Sequence, residues 1–207
     1  MYKRVIKRLS DIILSGIGII VLTVPMLMIA IAIKIDDPGP VLFKQRRVGR
    51  KKNGQITYFM IWKFRSMKMS TPHDVPTHLL ENPQQYITRI GKIIRKTSLD
   101  ELPQIYQVFT GKLSCVGPRP ALWCQDDLVE EREKYGANDV TPGITGWAQI
   151  NGRDELPIAR KAELDGEYAR KISFGFDCRC FFGTFWAVVS ARGVSEGKKS
   201  DGKEDRR

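Results

Sequence analysis

Two adjacent carboxylates, Asp100 and Glu101, lie in the segment RKTSLDELPQ (Arg95–Gln104) and are the first candidates for chemistry. The spacing allows two local structures. Ser98 and Glu101 fit a capping box, whereas Pro103 favours a helix that starts at the proline. Both structures place the carboxylates near a helix N-terminus, among free backbone N–H groups. If the segment stood alone, the two carboxylates would be interpreted as a helix cap without a catalytic role, which is a common use of such residues.

Basic residues on or beside stiff turns accompany the carboxylates. Arg95 and Lys96 lie in the same segment, Arg119 lies between two prolines, and Arg153 ends a glycine-rich stretch. Each one alone is an ordinary solvated surface charge. Together with two carboxylates they indicate a site for a phosphorylated substrate and a divalent cation. Arginine binds phosphate bidentately, and Mg²⁺ takes one or two carboxylates plus substrate phosphate oxygens.

The charge of the chain is unevenly distributed. The 207 residues carry a net charge of +11, and residues 1–70 hold 14 basic against 3 acidic side chains, which accounts for the whole excess. This basic third adjoins the most apolar segment, so anionic membrane lipid is favoured as its partner. A nucleic-acid binder is disfavoured, because no helix-turn-helix or RNA-binding signature is present. The four cysteines and two histidines have no metal-ligand spacing.

An uncharged run of 22 residues, IILSGIGIIVLTVPMLMIAIAI, extends from Ile12 to Ile33. As one helix it would measure about 33 Å, enough to cross a bilayer core. Pro25 interrupts the run, and basic residues flank both ends, so the positive-inside tendency places both ends on the cytoplasmic side. A re-entrant helix that enters, breaks at Pro25 and returns satisfies both observations, while a kinked spanning helix is the alternative.

The rest of the chain alternates between strand, turn and helix patterns. Val41–Phe43 and Ile56–Lys63 predict two strands joined by a turn at Asn53-Gly54. Thr141–Arg153 predicts a glycine-rich loop with little regular structure. Helices are predicted over five segments: Tyr86–Lys96, Leu99–Phe109, Asp126–Tyr135, 156–171 and Phe181–Val194. The sequence therefore predicts an α+β protein, mostly helical, with one short β-hairpin.

The predicted C-terminal helix carries three aromatic residues and a valine at helical spacing, namely Phe182, Phe185, Trp186 and Val189. This stripe predicts either a core-facing helix or an interfacial helix on lipid headgroups.

The predicted organisation of the chain has three parts. Residues 1–36 form the membrane helix with its basic flank, residues 37–195 a catalytic domain, and residues 196–207 a disordered charged tail.

Four ordered motifs make the chain resemble a known family: KFRSM (Lys63–Met67), RKTSLDELPQ, GKLSCVGPRP (Gly111–Pro120) and TPGITGWAQINGR. They are similar to motifs of the bacterial sugar transferases, the monotopic polyprenyl-phosphate phosphoglycosyl transferases, over nearly the whole chain. The resemblance implies a catalytic domain at the cytoplasmic face of the bacterial inner membrane, held in one leaflet by a re-entrant helix broken at Pro25. In the family a serine often precedes this proline, whereas Val24 does here. The chain resembles a minimal form without additional spanning helices.

The resemblance also implies roles for individual residues. Asp100 corresponds to the catalytic nucleophile, and Glu101 to its partner, either as a Mg²⁺ ligand or as a base toward the lipid phosphate. The two carboxylates together are the implied Mg²⁺ site. The candidate substrate-binding residues lie in the same four motifs: Arg95 and Arg119 for phosphate, Gln149 and Arg153 for the nucleotide or sugar, and Lys63 and Arg65.

The implied reaction transfers sugar 1-phosphate from a UDP-sugar to polyprenyl (undecaprenyl) phosphate through a covalent phosphosugar–Asp100 intermediate. Its products are polyprenyl-diphospho-sugar and UMP, and it is the first membrane step in assembly of a glycoconjugate such as O-antigen, capsule, exopolysaccharide or a glycoprotein glycan. In a one-step alternative the lipid phosphate attacks the UDP-sugar directly, and Asp100 only holds magnesium. From another class, a non-catalytic membrane-tethered scaffold that binds anionic lipid would need neither carboxylate.

Overall fold

The computed structural model describes residues 2–71, 82–152 and 156–189, without the side chains of Arg4, Pro83 and residues 185–189. These ranges hold seven α-helices and two two-stranded sheets, which confirms the α+β class. The helices are α1 (Lys7–Asp36), α2 (Arg89–Lys96), α3 (Gln104–Phe109), α4 (Asp126–Glu133), α5 (Trp147–Ile150), α6 (Ile158–Lys171) and α7 (Phe174–Val189). The strands are β1 (Leu42–Val48), β2 (Tyr58–Phe64), β3 (Ser114–Val116) and β4 (Gly143–Thr145).

The apolar run forms α1, a single helix of 30 residues that continues through Pro25. The predicted break at Pro25 is therefore not confirmed. By length and composition alone, α1 is long and apolar enough to cross a membrane. A narrow stripe along the helix is buried or partly buried, and the rest carries exposed side chains such as Ile20 and Val24. The stripe consists of Lys7, Asp11, Ser15, Leu22, Met26, Ile29 and Ile33, at helical spacing.

The N-terminal end of α1 is bonded to the body of the protein by buried polar groups. Lys7 Nζ lies 2.8 Å from Asp177 Oδ2 at the start of α7. The hydroxyls of Tyr2 and Tyr168 also donate to Asp177, at 2.6 and 2.7 Å. We call Asp177 with these three donors the anchor cluster. Asp11 on the next turn accepts further hydrogen bonds from β3, so this end of α1 is fixed to the domain.

The C-terminal end of α1 is fixed to the same body. Arg65, which follows β2, pairs with Asp37 at 2.7 Å. The backbone N–H of Ile90 in α2 donates to Asp36 Oδ2 at 2.9 Å. Ile33 packs in an apolar cluster that also contains buried residues of β2 and α2. Both ends of α1 thus contact one folded domain. In a straight helix of this length the two ends are about 45 Å apart.

The hairpin is confirmed, with a longer first strand than expected. β1 and β2 pair antiparallel, from Leu42 opposite Phe64 to Val48 opposite Tyr58. Asn53 and Gly54 both have positive φ angles, 50° and 78°, as the Asn-Gly turn requires. The predicted first strand ends at Phe43, whereas β1 continues through KQRR, which is strongly basic. In the structure two of these cations lie over aromatic rings of β2, which supports the strand through the charged stretch.

The helix predicted over Leu99–Phe109 is divided in two. A 3₁₀ turn covers Leu99–Glu101, and α3 begins at Gln104, directly after Pro103. Ser98 has a positive φ of 57° and makes no side-chain cap, so the capping-box interpretation is wrong and the start at the proline is confirmed. The predicted loop Thr141–Arg153 instead contains β4 and α5, because β4 pairs in parallel with β3.

Candidate active site

Glu101 is held by two cations from different elements. Its Oε1 accepts hydrogen bonds from Lys63 Nζ on β2 and from Arg119 Nη2, each at 2.8 Å. Burial alone would raise the pKa of Glu101, but the charges and hydrogen bonds of Arg119 and Lys63 outweigh it and lower the pKa below the usual range. Glu101 is therefore ionised and fixed in place at any pH near neutrality.

Asp100 has a different environment, although it is the adjacent residue. Its side chain is 13% exposed, and its Oδ2 lies 4.0 Å from Lys63 Nζ, too far for a hydrogen bond. No described residue donates a hydrogen bond to it. Burial raises the pKa of Asp100, the charge of Glu101 adds to that effect, and the cations Lys63, Arg95 and Arg119 oppose it. A desolvated carboxylate without direct donors is suited to act as a nucleophile or base.

The turn that carries the two carboxylates is anchored by its apolar neighbours. Leu99 and Leu102 pack against the cluster that contains Phe64 and Ile94, so the intervening carboxylates lie on the outer side of the turn. Strand β2, which carries Lys63, is bonded to α3 through the buried side-chain amide of Gln107. The amide oxygen accepts a hydrogen bond from the backbone N–H of Trp62 at 2.9 Å, and the amide nitrogen donates one to the carbonyl of Met60 at 2.6 Å. The position of Lys63 is thereby fixed relative to α3.

Arg119 lies on a turn where two of the sequence motifs meet. The N–H of Gly117 donates to Thr145 O at 2.7 Å, and the N–H of Gly143 donates to Pro118 O at 2.9 Å. A Cβ atom at Gly117, Gly143 or Gly146 would collide with the facing backbone. The glycines are therefore needed for close approach of the two backbone segments, and this approach supports the turn that carries Arg119.

The donor set fits a magnesium ion bound partly through substrate. Among the described residues no group of three or more His, Cys, Asp and Glu could hold a metal by itself. No residue in the described part of the chain donates a hydrogen bond to the Asp100 carboxylate, whereas Oε1 of Glu101 is occupied by two cations. Mg²⁺ commonly takes one or two carboxylates and completes its shell with water and phosphate oxygens. Asp100, with Oε2 of Glu101, would supply the protein ligands.

The structure brings together five of the candidates that the sequence singled out: Asp100, Glu101, Lys63, Arg95 and Arg119. The others lie elsewhere. Arg65 is paired with Asp37 at the end of α1. Gln149 is buried on α5, and neither its Oε1 nor its Nε2 has a hydrogen-bond partner within the described ranges. Arg153 lies outside the described residues. Their proposed contacts with substrate stay predictions.

Sequence reasoning missed the buried polar residues that support the site. Gln107 was assigned only to a helix, and Arg132 to a charged surface helix. Asp165 was not noticed, although it lies on α6 between Ala162 and Ala169, at the spacing of a buried face. An acidic residue within such an apolar stripe is the signal that would have identified it.

The chain is similar to known proteins along nearly its whole length. The family model described as "Bacterial sugar transferase" matches residues 2–191. The chain is 40% identical over 186 residues to UDP-glucose:undecaprenyl-phosphate glucose-1-phosphate transferase of Escherichia coli (strain K12), which covers 86% of this chain and 39% of that protein. It is 35% identical to UDP-N-acetylgalactosamine-undecaprenyl-phosphate N-acetylgalactosaminephosphotransferase of Aeromonas hydrophila, covering 91% of this chain and 45% of that protein.

The chain thus spans about two fifths of the length of these two relatives. A shorter relative is matched along most of its length. "Uncharacterized sugar transferase EpsL" of Bacillus subtilis (strain 168) is 37% identical over 193 residues, which cover 93% of this chain and 91% of that protein. With a family match over residues 2–191, this chain belongs to the bacterial sugar transferase family.

Proposed function

We propose that this protein transfers sugar 1-phosphate from a UDP-sugar to polyprenyl phosphate and releases UMP. The observation that carries the proposal is the asymmetry of the adjacent carboxylates. Glu101 is neutralised by Lys63 and Arg119, while Asp100 is desolvated and has no hydrogen-bond donor among the described residues. The names of two relatives, which specify undecaprenyl phosphate and either UDP-glucose or UDP-N-acetylgalactosamine, support this class of reaction.

The proposed chemistry consists of two displacements at one phosphorus atom. An oxygen of Asp100 attacks the sugar-bearing phosphorus, and the bond from that phosphorus to the bridging oxygen breaks, so UMP leaves with the bridging oxygen. An oxygen of polyprenyl phosphate then attacks the same phosphorus, and the bond to Asp100 breaks, which restores the carboxylate. The two steps let a soluble and a lipid substrate use one site in turn.

The charge of the site suits this attack. A carboxylate that approaches a diphosphate meets like charge, so cations must lie near the phosphates before the reaction. Three cations lie near Asp100, and their charges oppose the rise in its pKa that burial causes. They are Lys63, Arg95 and Arg119. A bound Mg²⁺ would supply further neutralisation of the diphosphate. Glu101 keeps Lys63 and Arg119 in position, since both donate to its Oε1.

The geometry of α1 suits a lipid substrate. Both ends of the helix are bonded to one domain, and its exposed faces are apolar along most of its length. A helix tied at both ends to a domain on one side of the bilayer cannot place its ends on opposite sides. We propose that α1 lies in the cytoplasmic leaflet of the bacterial inner membrane, with both ends on the same side. The site then acts at the height of the lipid headgroups, with anionic lipid beside the basic residues.

The decisive experiment is isotope exchange without the lipid acceptor. Purified protein in nanodiscs is incubated with magnesium, radiolabelled UMP and a panel of UDP-sugars that includes UDP-glucose and UDP-N-acetylgalactosamine. A two-step reaction moves label into the UDP-sugar without polyprenyl phosphate, because the first displacement is reversible. Asp100→Asn should lower exchange and turnover by about 10³-fold or more with the fold retained. Asp126→Asn, an exposed aspartate on α4, should change neither.

The other outcomes identify the alternatives. UMP release only when polyprenyl phosphate is present, with no exchange in its absence, would indicate the one-step reaction. An active Asp100→Asn variant would refute the assignment of the nucleophile. If no UDP-sugar is consumed, while vesicles of anionic lipid bind wild type and Asp100→Asn equally, the non-catalytic scaffold is the correct interpretation.

A further inference from the structure

The turn that carries Arg119 is held through its carbonyl groups. Four consecutive carbonyls, of residues 118 to 121, each accept a hydrogen bond, and the donors lie in β1, β4 and α4. Three of these donors come from sheet or loop segments. The fourth is the side chain of Arg132 on α4, whose Nη2 lies 2.9 Å from Arg119 O. The residue that binds Glu101 is therefore itself held by a second arginine.

Arg132 is oriented by a buried ion pair with α6. Its Nε and Nη2 donate to Oδ2 of Asp165 at 2.8 and 2.5 Å. The side chains are only 5% and 1% exposed. Nη2 is thus shared between Asp165 and Arg119 O, which connects α6 to the turn through one guanidinium group.

A buried ion pair such as Arg132–Asp165 is not expected from stability alone. Buried ion pairs often contribute less than well-packed apolar residues of similar volume, because removing two charges from water is costly. The second oxygen of Asp165, Oδ1, is also buried and has no hydrogen-bond partner in the part of the chain that the structure describes. The pair does make one contact with the site, the hydrogen bond to Arg119 O.

We propose that Arg132 and Asp165 are positioning residues for the transferase reaction. Asp165 orients Arg132, Arg132 holds the carbonyl of Arg119, and Arg119 is thereby placed with its Nη2 at 2.8 Å from Oε1 of Glu101. Neither positioning residue touches the reacting groups, and both act through Arg119. This inference rests on the proposed function, and its test has one arm that does not need activity.

The first arm is a double-mutant cycle on kcat/KM for the UDP-sugar. Asp165→Asn should lower kcat/KM by about 30-fold, the loss expected for one charge-assisted hydrogen-bond contact. In the Arg119→Ala background the same change should cost less than about threefold, because the residue to be positioned is absent. Glu163→Gln is the matched control, since Glu163 lies on the same helix and pairs with Arg160 at the surface, where its side chain is 49% exposed.

The split of the loss between KM and kcat adds a readout that a general loss of packing would not move. Arg119 is the candidate phosphate-binding residue, so its displacement in Asp165→Asn should raise KM for the UDP-sugar more than it lowers kcat, as should Arg119→Ala. Arg132→Lys keeps the charge but not the fork that reaches both partners, so it should show the same split. It also replaces Asp165→Asn should that variant fail to fold.

The second arm is hydrogen–deuterium exchange of the peptide covering residues 117–122, measured without substrate. Exchange should rise in Asp165→Asn and Arg132→Lys, with little change in the hairpin of β1 and β2. Equal losses of kcat/KM in both backgrounds, or unchanged exchange of this peptide, would overturn the inference. A wild-type protein that releases no UMP would instead refute the proposed function, and the exchange experiment would still decide whether Arg132 holds the turn.

Discussion

Asp177 and Asp100 are both mostly buried carboxylates near a lysine, but the numbers of donors that reach them differ. In the anchor cluster, Asp177 accepts from Tyr2, Lys7 and Tyr168 within 2.8 Å, so both of its oxygens are engaged. In the candidate active site, Asp100 has one lysine at 4.0 Å and no hydrogen-bond donor among the described residues. One carboxylate is saturated, and the other is available to a ligand.

This difference separates structural from chemical use of the same residue type. A carboxylate with both oxygens engaged stabilises the fold, since its desolvation is compensated by hydrogen bonds. A desolvated carboxylate without donors costs stability and is retained where its reactivity is needed. The comparison predicts that substitutions in the anchor cluster lower stability, whereas substitutions at the Asp100 site lower turnover.

The largest expected effect on stability comes from Asp177→Asn. Removal of the carboxylate charge leaves Lys7, 8% exposed, without its ionic partner, which should cost about 3 kcal/mol of unfolding free energy. For a domain of this size that is a drop of about 6–12 °C in the melting temperature. Thermal unfolding followed by circular dichroism in one detergent measures it. Turnover below the transition should stay within about twofold of wild type.

Asp100→Asn is the opposite case and serves as the matched comparison. It removes a charge that burial disfavours, so the melting temperature should not fall. A large loss of stability in Asp100→Asn, or a large loss of turnover in folded Asp177→Asn, would contradict the division between the two clusters.

The same contrast explains how much of the molecule was predictable from sequence. The site carboxylates, the hairpin turn at Asn53-Gly54 and the start of α3 after Pro103 depend on local residue types, so short motifs revealed them. The resemblance predicts that Lys63 and Arg119 bind substrate, and this role stays a prediction. Their contact with Glu101 depends on the packing of β2 and the Arg119 turn against residues distant in sequence, which no local pattern reports.

The anchor cluster was not predictable for a physical reason. Tyr2 and Lys7 are 175 and 170 residues from Asp177, so their contact exists only after α1 has packed on α7. From sequence, Lys7 belongs to a basic flank of a membrane segment, and such residues are usually solvated. The charge pattern indicated two cytoplasmic ends for α1. The structure adds polar bonds that tie each end to the domain, while the break at Pro25 stays a prediction.

A smaller effect is expected on the pH dependence of the reaction. Among the cations that oppose the raised pKa of Asp100, Lys63 has the largest influence. In Lys63→Met the pKa of Asp100 should rise further, and the nucleophile must be deprotonated to react. The acid limb of kcat/KM should therefore move to higher pH. Lys134→Met is the control, because Lys134 directly follows α4, is exposed and pairs with Glu131. An acid limb at the wild-type position in Lys63→Met would show that Asp100 does not set it.

The smallest effect is expected from Tyr2→Phe, which removes one of the three donors to Asp177 and leaves the ring that packs edge-on against Phe174. The carboxylate keeps Lys7 on Oδ2 and Tyr168 on Oδ1, so the loss should be about 1 kcal/mol, or about 3 °C in the melting temperature. Turnover should be unchanged. Because the saturated carboxylate tolerates the loss of one donor, Tyr2→Phe and Asp177→Asn together measure how stability depends on donor number. A melting temperature as low as that of Asp177→Asn would mean that Tyr2, rather than the charge of Lys7, is the main partner of Asp177.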